Sequence, residues 1–325
     1  MTAVRIGTRG SALALAQTRQ VADSLARASG LDVELVTITT HGDTTSESLS
    51  RLGGTGVFTG ALRDALLNDE IDVAVHSLKD LPTAEHPDLV LAAVPKRADA
   101  RDVLCARDGL TLDDLADGAR VGTGSPRRIA QVRSRRPDLT VVDIRGNIDT
   151  RLGRVFDDVD DDRRLDAIVL AAAGLGRLGR ADAATQHLEL SDWPTAPGQG
   201  ALALETRRAK DSSQQCRALA KALSAVNHAT TRAVVAAERG VLAGLEAGCA
   251  APLGTTALVE DGLLFLTATV YQPDGTRHLT SSHAASLEGN GQAALLEAAE
   301  DAARRVVDEL LESGAADLAP LGGSA

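Results

Sequence analysis

Two arginines follow a strand-to-helix turn in the segment Gly122-Thr-Gly-Ser-Pro-Arg-Arg. The pattern predicts that Ser125 caps a helix and that Pro126 takes its first position. Free backbone N–H groups, the positive end of the helix dipole and the side chains of Arg127 and Arg128 would then meet. We interpret the turn as an anion-binding site. An ordinary capped helix with solvated arginines is the alternative.

The next strand-to-helix turn repeats this arrangement, with Arg145 before the turn and Arg151 one turn into the following helix. Neighbouring turns of one sheet share its carboxyl edge, so the two turns predict one pocket for several anionic groups. The segment Gly174–Gly179 matches the dinucleotide fingerprint G-x-G-x-x-G, although no long helix follows it. We favour a tight turn that carries Arg177 toward the same cleft, with nicotinamide binding as an alternative.

A carboxylate suited to proton transfer follows a buried-looking strand in the segment His76-Ser-Leu-Lys-Asp-Leu-Pro. The ends of such strands are where α/β proteins place functional side chains. Asp80, beside Lys79, could face a cleft and handle a proton or a cation. A structural turn ahead of Pro82 is the alternative.

Three cysteines are widely spaced and predict neither a disulfide framework nor a metal site. Cys249 lies in a turn rich in glycine and alanine, where an exposed thiolate could act as a nucleophile or an attachment point. We interpret Cys105, on a strand, and Cys216, on a helix, as inert apolar fillers.

The net charge of −11 argues against non-specific binding to nucleic acid or to an anionic membrane. Only four lysines accompany thirty arginines, which is typical of a salt-adapted surface, and thirteen of those arginines fall between Arg120 and Arg180. Guanidinium groups match carboxylates, so this concentration indicates an anionic ligand. No apolar run is long enough to span a bilayer and no secretory signal is evident, so we expect a cytoplasmic protein.

The elements that must position these residues form two α/β units and a different third unit. Strands alternate with helices up to about residue 200, with residues 95–102 as a linker. After residue 211, two helices, an antiparallel sheet and a long helix (about residues 292–313) predict an α+β module. We expect residues 314–325 to be a frayed tail.

Assembled in order, seven segments resemble the hydroxymethylbilane synthase (porphobilinogen deaminase) family. Three have been described above: Gly122-Thr-Gly-Ser-Pro-Arg-Arg, His76-Ser-Leu-Lys-Asp-Leu-Pro and Glu246-Ala-Gly-Cys. The other four are Ile6-Gly-Thr-Arg-Gly-Ser-Ala-Leu-Ala-Leu, Arg145-Gly-Asn-Ile-Asp-Thr-Arg-Leu, Ala173-Gly-Leu-Gly-Arg-Leu-Gly and Pro197-Gly-Gln-Gly-Ala. The likeness covers about residues 4 to 260.

The resemblance implies a transferase that joins four porphobilinogen molecules head to tail, releasing ammonia each time. It further implies one covalent dipyrromethane cofactor per chain, held by a thioether to Cys249, and Asp80 as the catalytic residue. The arginines that match carboxylate-binding positions are Arg9, Arg127, Arg128, Arg145, Arg151 and Arg177. The residues that match cleft-lining positions are Ser11, Ser77, Lys79, Thr123, Ser125 and Gln199. No metal is implied.

By resemblance, the fold is two periplasmic-binding-protein-like α/β domains plus a smaller C-terminal α+β domain with an antiparallel sheet. The predicted limits are 1–95 with 200–218, then 101–195, then 222–325. We expect a monomer. In many bacterial relatives the glycine-rich loop matching residues 53–60 carries lysines, whereas Thr55 and Gly60 stand here. The alternative function is a non-catalytic solute-binding or sensor module for a small polyanion.

Overall fold

Three sheets organise the protein in a computed structural model that describes residues 3–39, 59–208, 214–248, 251–319 and 321. Two of the sheets are mixed and five-stranded, and the third is antiparallel and three-stranded. This arrangement confirms the predicted fold class of two α/β units and a smaller α+β unit. The exact limits of the three domains stay a prediction.

The first sheet has the strand order β2-β1-β3-β10-β4, in which β10 runs antiparallel to both of its neighbours. Its strands are β1 (Val4–Arg9), β2 (Val33–Ile38), β3 (Val73–Ser77), β4 (Leu89–Ala93) and β10 (Leu202–Arg207). Aliphatic side chains are buried on both faces. Helices α1 (Ala12–Ser29) and α6 (Gln214–Val226) cover one face and α2 (Gly60–Leu67) covers the other.

The second sheet repeats this topology with the order β7-β6-β8-β5-β9. Its strands are β5 (Asp102–Ala106), β6 (Arg120–Gly122), β7 (Thr140–Val142), β8 (Ala167–Ala171) and β9 (Gln186–Leu188). Helix α3 (Pro126–Arg135) packs on one face, and α4 (Ile148–Phe156) and α5 (Ala172–Arg177) pack on the other. Since parallel strands β6, β7 and β8 end at one edge, the turns before α3, α4 and α5 lie side by side.

The third unit packs its sheet, β11 (Leu253–Glu260), β12 (Leu263–Tyr271) and β13 (His278–Ser286), against α7 (Ala229–Gly244) and α8 (Gln292–Glu312). Glycine lets these two helices approach closely, because a Cβ at Gly244 would lie 2.8 Å from Val307 Cγ2. A short helix α9 (Ala315–Leu318) follows, with Ala315 fully buried. The prediction of a frayed tail is therefore wrong for residues 314–319, which pack on this core.

Two chain segments cross between the first and second sheets, and they touch at Gly200. The amide of Ala98 donates to the Gly200 carbonyl oxygen at 3.3 Å. Gly200 has φ +83°, and a Cβ there would lie 2.9 Å from the Ala98 carbonyl oxygen, so the crossing requires glycine. The linker predicted at residues 95–102 is one residue too long, because Asp102 already pairs in β5 and is fully buried.

Of the two cysteines predicted to be apolar fillers, one is buried and one is exposed. Cys105 is buried among apolar side chains and burial raises the pKa of its thiol to about 12, which confirms its role as an inert filler. Cys216 is exposed on α6, so the prediction that it fills the core was wrong. Within the described residues, no helix combines the length and apolarity that a bilayer crossing requires.

Candidate active site

The turn between β6 and α3 is built as the sequence predicts. Ser125 is the N-cap of α3, its side chain accepts from the amide of Arg128 at 3.5 Å, and Pro126 follows. Thr123 is buried and its hydroxyl oxygen accepts from the Ser125 amide at 3.3 Å. The predicted cap is confirmed, and the first turn of α3 carries Arg127 and Arg128 into the interior of the protein.

Arg127 and Arg128 are both buried, and both bind the same carboxylate. Arg127 Nη1 lies 2.9 Å from Asp102 Oδ2, and Arg128 Nη2 lies 2.6 Å from Asp102 Oδ1. Arg127 Nη1 also reaches the side-chain oxygen of Gln131 at 2.6 Å. The alternative of two solvated arginines is excluded, because their side chains are only 3% and 8% exposed.

The next turn adds two more guanidinium groups at the same sheet edge. Asn147 caps α4 by accepting from the Thr150 amide at 2.8 Å, and Arg151 Nε donates to the Gly146 carbonyl oxygen at 2.8 Å. Burial lowers the pKa of Arg151, and the charges of Arg128 and Arg145 lower it further. Like charges are thus brought together here, as the shared edge predicts.

Arg177 reaches the crossing segment from α5. Its Nη2 donates to the Gly200 carbonyl oxygen at 2.7 Å, and burial lowers its pKa. The fingerprint glycines Gly174 and Gly176 lie inside α5, a six-residue helix, where a tight turn was expected. They form no loop between β8 and a following helix, so the arrangement differs from a dinucleotide-binding turn.

Asp80 lies in a short 3-10 turn, Leu78–Asp80, directly after β3. Leu78 is fully buried and its amide donates to the Ala201 carbonyl oxygen at 3.0 Å, which fixes the turn to the first sheet. Asp80 itself is exposed. The strand end therefore presents a carboxylate on an anchored turn.

Lys79 connects this turn electrostatically to the second sheet. It is half-buried, and burial lowers its pKa, with the charges of Arg128 and Arg127 acting in the same direction. The carboxylates of Asp80 and Asp102 oppose the shift. The Lys79–Asp80 turn and the arginines of α3 thus share one electrostatic environment, although they belong to different sheets.

The other predicted site residues lie around the first helix and the crossing. Arg9, half-buried, ends β1, and Ser11 caps α1 by accepting from the Ala14 amide at 3.3 Å. Ser77 accepts from Gln17 Nε2 at 3.2 Å. Gln199 is 1% exposed and donates to Asp102 Oδ1 at 2.8 Å, so it lies behind the arginines. Direct contact of Gln199 with a ligand stays a prediction.

Cys249 lies outside the described residues, but the helix that precedes it contacts the site. On α7, Arg239 donates to the carbonyl oxygens of Leu78 and Leu81 at 3.1 and 2.7 Å. The neighbouring Glu238 accepts from Arg97 at 2.7 Å and from the Gly198 amide at 2.8 Å. The third unit therefore forms hydrogen bonds with the Asp80 turn and with both crossing segments.

The residues present fit an anionic group of several carboxylates. The buried Nε atoms of Arg127, Arg128 and Arg177 have no hydrogen-bond partner within the described ranges. Buried cations that repel one another and retain unused donors are stabilised by an anionic ligand. The donor set thus suits the dipyrromethane group that the resemblance implies. The described part of the chain contains no cluster of three or more His, Cys, Asp or Glu able to hold a metal ion.

Sequence reasoning missed three residues that organise the site: Asp102, Arg239 and Glu238. Asp102 was assigned to a linker, and Arg239 and Glu238 to an ordinary helix. A signal existed only for Asp102, because a pair of buried arginines needs a buried acid nearby. The contacts of Arg239 join residues about 160 positions apart, and those of Glu238 span 40 and 141 positions, so no local pattern indicates them.

The fold and the arginine cluster define a protein of two α/β units and a smaller α+β unit, with buried guanidinium groups suited to an anionic ligand and an exposed carboxylate at Asp80. Residues 4–215 match the family model described as "Porphobilinogen deaminase, dipyromethane cofactor binding domain", and residues 233–312 match "Porphobilinogen deaminase, C-terminal domain". The chain belongs to the porphobilinogen deaminase family, and it is an enzyme of the transferase type. This confirms the resemblance and favours the enzyme over the solute-binding alternative.

Curated relatives resemble the chain over nearly its whole length. "Porphobilinogen deaminase" of Leifsonia xyli is 67% identical, covering 99% of this chain and 95% of the relative. "Porphobilinogen deaminase" of Cutibacterium acnes is 50% identical, covering 99% and 98%. "Porphobilinogen deaminase 1" of Streptomyces coelicolor is also 50% identical, covering 97% of each chain.

Solved structures with a similar chain trace include binding proteins. The methionine-binding protein MetQ has a TM-score of 0.42 and 14% identity, covering 68% of this chain and 89% of that one. A YaeC-family lipoprotein of Enterococcus faecalis has a TM-score of 0.38 and 15% identity, covering 69% and 91%. Nothing about ligand or activity follows from similarities this low.

Proposed function

We propose that this enzyme joins four porphobilinogen molecules head to tail on a dipyrromethane group attached to Cys249. Ammonia leaves at each addition, and hydrolysis then releases linear hydroxymethylbilane for tetrapyrrole biosynthesis (haem, sirohaem and cobalamin). Membership in the porphobilinogen deaminase family supports this proposal. The site contributes the chemical reason.

The observation that carries the proposal is the shared environment of the Lys79–Asp80 turn and the arginines of α3. Each pyrrole carries an acetate and a propionate, so a lengthening chain is a polyanion. Such a chain needs guanidinium groups along its path and a carboxylate at its reacting end. The electrostatic influence of Asp80, Arg127 and Arg128 on Lys79 supports such an arrangement, in a protein whose net charge is −11.

The cationic side chains would bind the carboxylates. Arg128 and Arg145 both repel Arg151 across neighbouring turns, so bound carboxylates would relieve that repulsion. Arg177 would approach from α5, and Arg9 with Lys79 from the first sheet. Thr123 and Ser125 shape the turn, and Ser11, Ser77 and Gln199 support the residues beside it.

Asp80 would act on the reacting atoms. Its exposed carboxylate can lie beside a pyrrole nitrogen, stabilise the positive charge that develops when ammonia leaves, and hold a proton between steps. The 3-10 turn is held in place, because the Leu78 side chain is fully buried and Arg239 binds the Leu78 and Leu81 carbonyl oxygens. The dipyrromethane group, when bound, supplies the covalent primer to which substrate units are added.

Cys249 would hold that primer. Gly248, the described residue before it, follows Arg239 by nine positions, and Arg239 contacts the Asp80 turn directly. Five of these positions belong to α7, which advances about 1.5 Å per residue. A thioether there would tether the dipyrromethane ten positions after the arginine that binds the Asp80 turn.

We also propose that the enzyme works as a cytoplasmic monomer, without a nucleic-acid or membrane partner. The acidic net charge supports this, because it disfavours anionic polymers and surfaces. Size-exclusion chromatography with light scattering tests the oligomeric state. A mass twice that of the 33.6 kDa chain would contradict it.

Incubation of the purified protein with porphobilinogen tests the activity. We expect one ammonia per porphobilinogen consumed, and a product that closes to a uroporphyrinogen. Substrate binding without ammonia release would contradict the proposed enzyme and support the solute-binding alternative.

A further inference from the structure

A fully buried carboxylate behind the arginines carries an inference that goes deeper into the proposed site. Asp102 has no exposed surface, yet its two oxygens accept hydrogen bonds from four different side chains. Oδ1 accepts from Arg128 at 2.6 Å and from Gln199 at 2.8 Å. Oδ2 accepts from Arg127 at 2.9 Å and from Trp193 Nε1 at 3.0 Å.

The charges around Asp102 explain why a carboxylate can be buried at this position. Burial alone would raise the pKa of Asp102, but the charges of Arg127 and Arg128 outweigh that effect and hold the pKa well below its usual range. Asp102 is therefore ionised. Two buried guanidinium groups and one carboxylate leave a single positive charge, which a ligand carboxylate can neutralise.

The same contacts fix where the two arginines point. Arg128 is held at one nitrogen by Asp102 and at the other by the Val169 carbonyl oxygen, 3.1 Å away. Arg127 bridges Asp102 to Gln131, whose amide donates to the Tyr271 hydroxyl in the third unit at 3.3 Å. The carboxylate thus couples α3 to Gln199 on the crossing segment and, through Arg127, to the third sheet.

We propose that Asp102 is a positioning residue, which sets the arrangement of Arg127 and Arg128 that the anionic ligand meets. It touches no reacting atom itself. The inference rests on the proposed function, because it assumes that these arginines bind carboxylates of the substrate chain.

Steady-state kinetics with Asp102→Asn tests this role. Asparagine has the same shape but no charge, and its amide opposes the donors around it. We expect the KM for porphobilinogen to rise at least about tenfold while kcat changes less than about threefold, because Asp80 is untouched. Asp102→Glu restores the charge in a displaced position, so its KM should lie between the wild-type value and that of Asp102→Asn. The control is Asp99→Asn. Asp99 is an exposed aspartate on the same crossing segment and pairs with Arg101 at 2.8 Å. Its replacement should leave the KM unchanged.

Several outcomes decide the proposal. An unchanged KM in soluble Asp102→Asn overturns it, as does a fall in kcat at constant KM. If Asp102→Asn is insoluble, Asp102→Glu decides alone, since a native KM there shows that the exact position of the carboxylate is irrelevant. A wild-type protein without turnover contradicts the proposed function, whereas an active wild type with an insensitive Asp102 contradicts only this inference.

Discussion

The guanidinium of Arg239 lies 2.7 Å from the carbonyl oxygen of Leu81, the residue that follows Asp80. The same side chain reaches the carbonyl oxygens of Leu78 at 3.1 Å and Pro82 at 2.7 Å. One arginine of the third unit therefore binds carbonyl groups on both sides of the proposed catalytic carboxylate, at Leu78, Leu81 and Pro82. The backbone on both sides of Asp80 is thus held from the third unit as well as from its own strand.

Replacing Arg239 by methionine should therefore weaken catalysis without unfolding the protein. Hydrogen bonds from a charged group contribute about 1.5–3 kcal/mol each, so the turn would loosen and kcat should fall about tenfold. Arg232→Met on the same helix is the control, because Arg232 donates to the carbonyl oxygen of Leu91 on β4 at 2.9 Å rather than to a carbonyl group next to Asp80. Equal kcat values in the two variants would show that the Arg239 contact does not serve the reaction.

Asp80 should be the most sensitive position for turnover. Loss of one group that stabilises developing charge costs about 2.7–4 kcal/mol, so Asp80→Asn should lower kcat about 100- to 1,000-fold. Asp80→Ala should be nearly inactive, and Asp80→Glu should keep some turnover. Glu85→Gln, at an exposed residue of the same loop region, is the matched control. Ammonia release measures all four, and full activity in Asp80→Asn would remove this residue from the mechanism.

Lys79 should make substrate binding sensitive to alkaline pH. Burial and the charges of Arg128 and Arg127 lower its pKa below the ordinary 10.5, so the folded enzyme loses this proton before a free lysine does. The KM for porphobilinogen should then rise as the pH approaches 10.5 from below, because a neutral amine no longer attracts carboxylates. Lys79→Arg, which stays charged, should lack this rise. An identical pH dependence in both proteins would assign it to another group.

The lowered pKa of Lys79 also affects stability: alkaline pH should weaken substrate binding but increase the contribution of this residue to the free energy of unfolding. Between the folded and unfolded pKa values of Lys79, the unfolded chain holds more protons than the folded one. The contribution of Lys79 to the free energy of unfolding therefore increases with pH through that interval. Denaturation of wild type and Lys79→Met at several alkaline pH values measures the difference between their free energies of unfolding. This difference should shrink as the pH rises.

Much of the local structure was evident from the sequence, whereas the contacts between units were not. The predicted cap at Ser125 follows from short-range chemistry, and it is present. Asp102 was missed because its partners are 25 to 97 positions away along the chain. Arg239 was missed for the same reason, since only the packing of α7 against the first sheet brings it to the Asp80 turn.

The crossing at Gly200 should be intolerant of any side chain. Alanine there combines φ +83° with a Cβ 2.9 Å from the Ala98 carbonyl oxygen. Gly118 is a matched control, because its φ is +78° but a Cβ added there would have no neighbouring atom within 4 Å. Strain alone costs about 1 kcal/mol, so Gly118→Ala should lose about that much, and Gly200→Ala about 3 kcal/mol in urea denaturation. Equal losses would show that the close approach at the crossing is not limiting.

Intact-protein mass spectrometry of the purified enzyme tests the central claim most directly. We predict one covalent adduct of two pyrrole units per chain, absent from Cys249→Ser and retained in Cys216→Ser, whose cysteine is exposed on α6. An unmodified chain that nevertheless converts porphobilinogen, or an adduct that survives in Cys249→Ser, would contradict it.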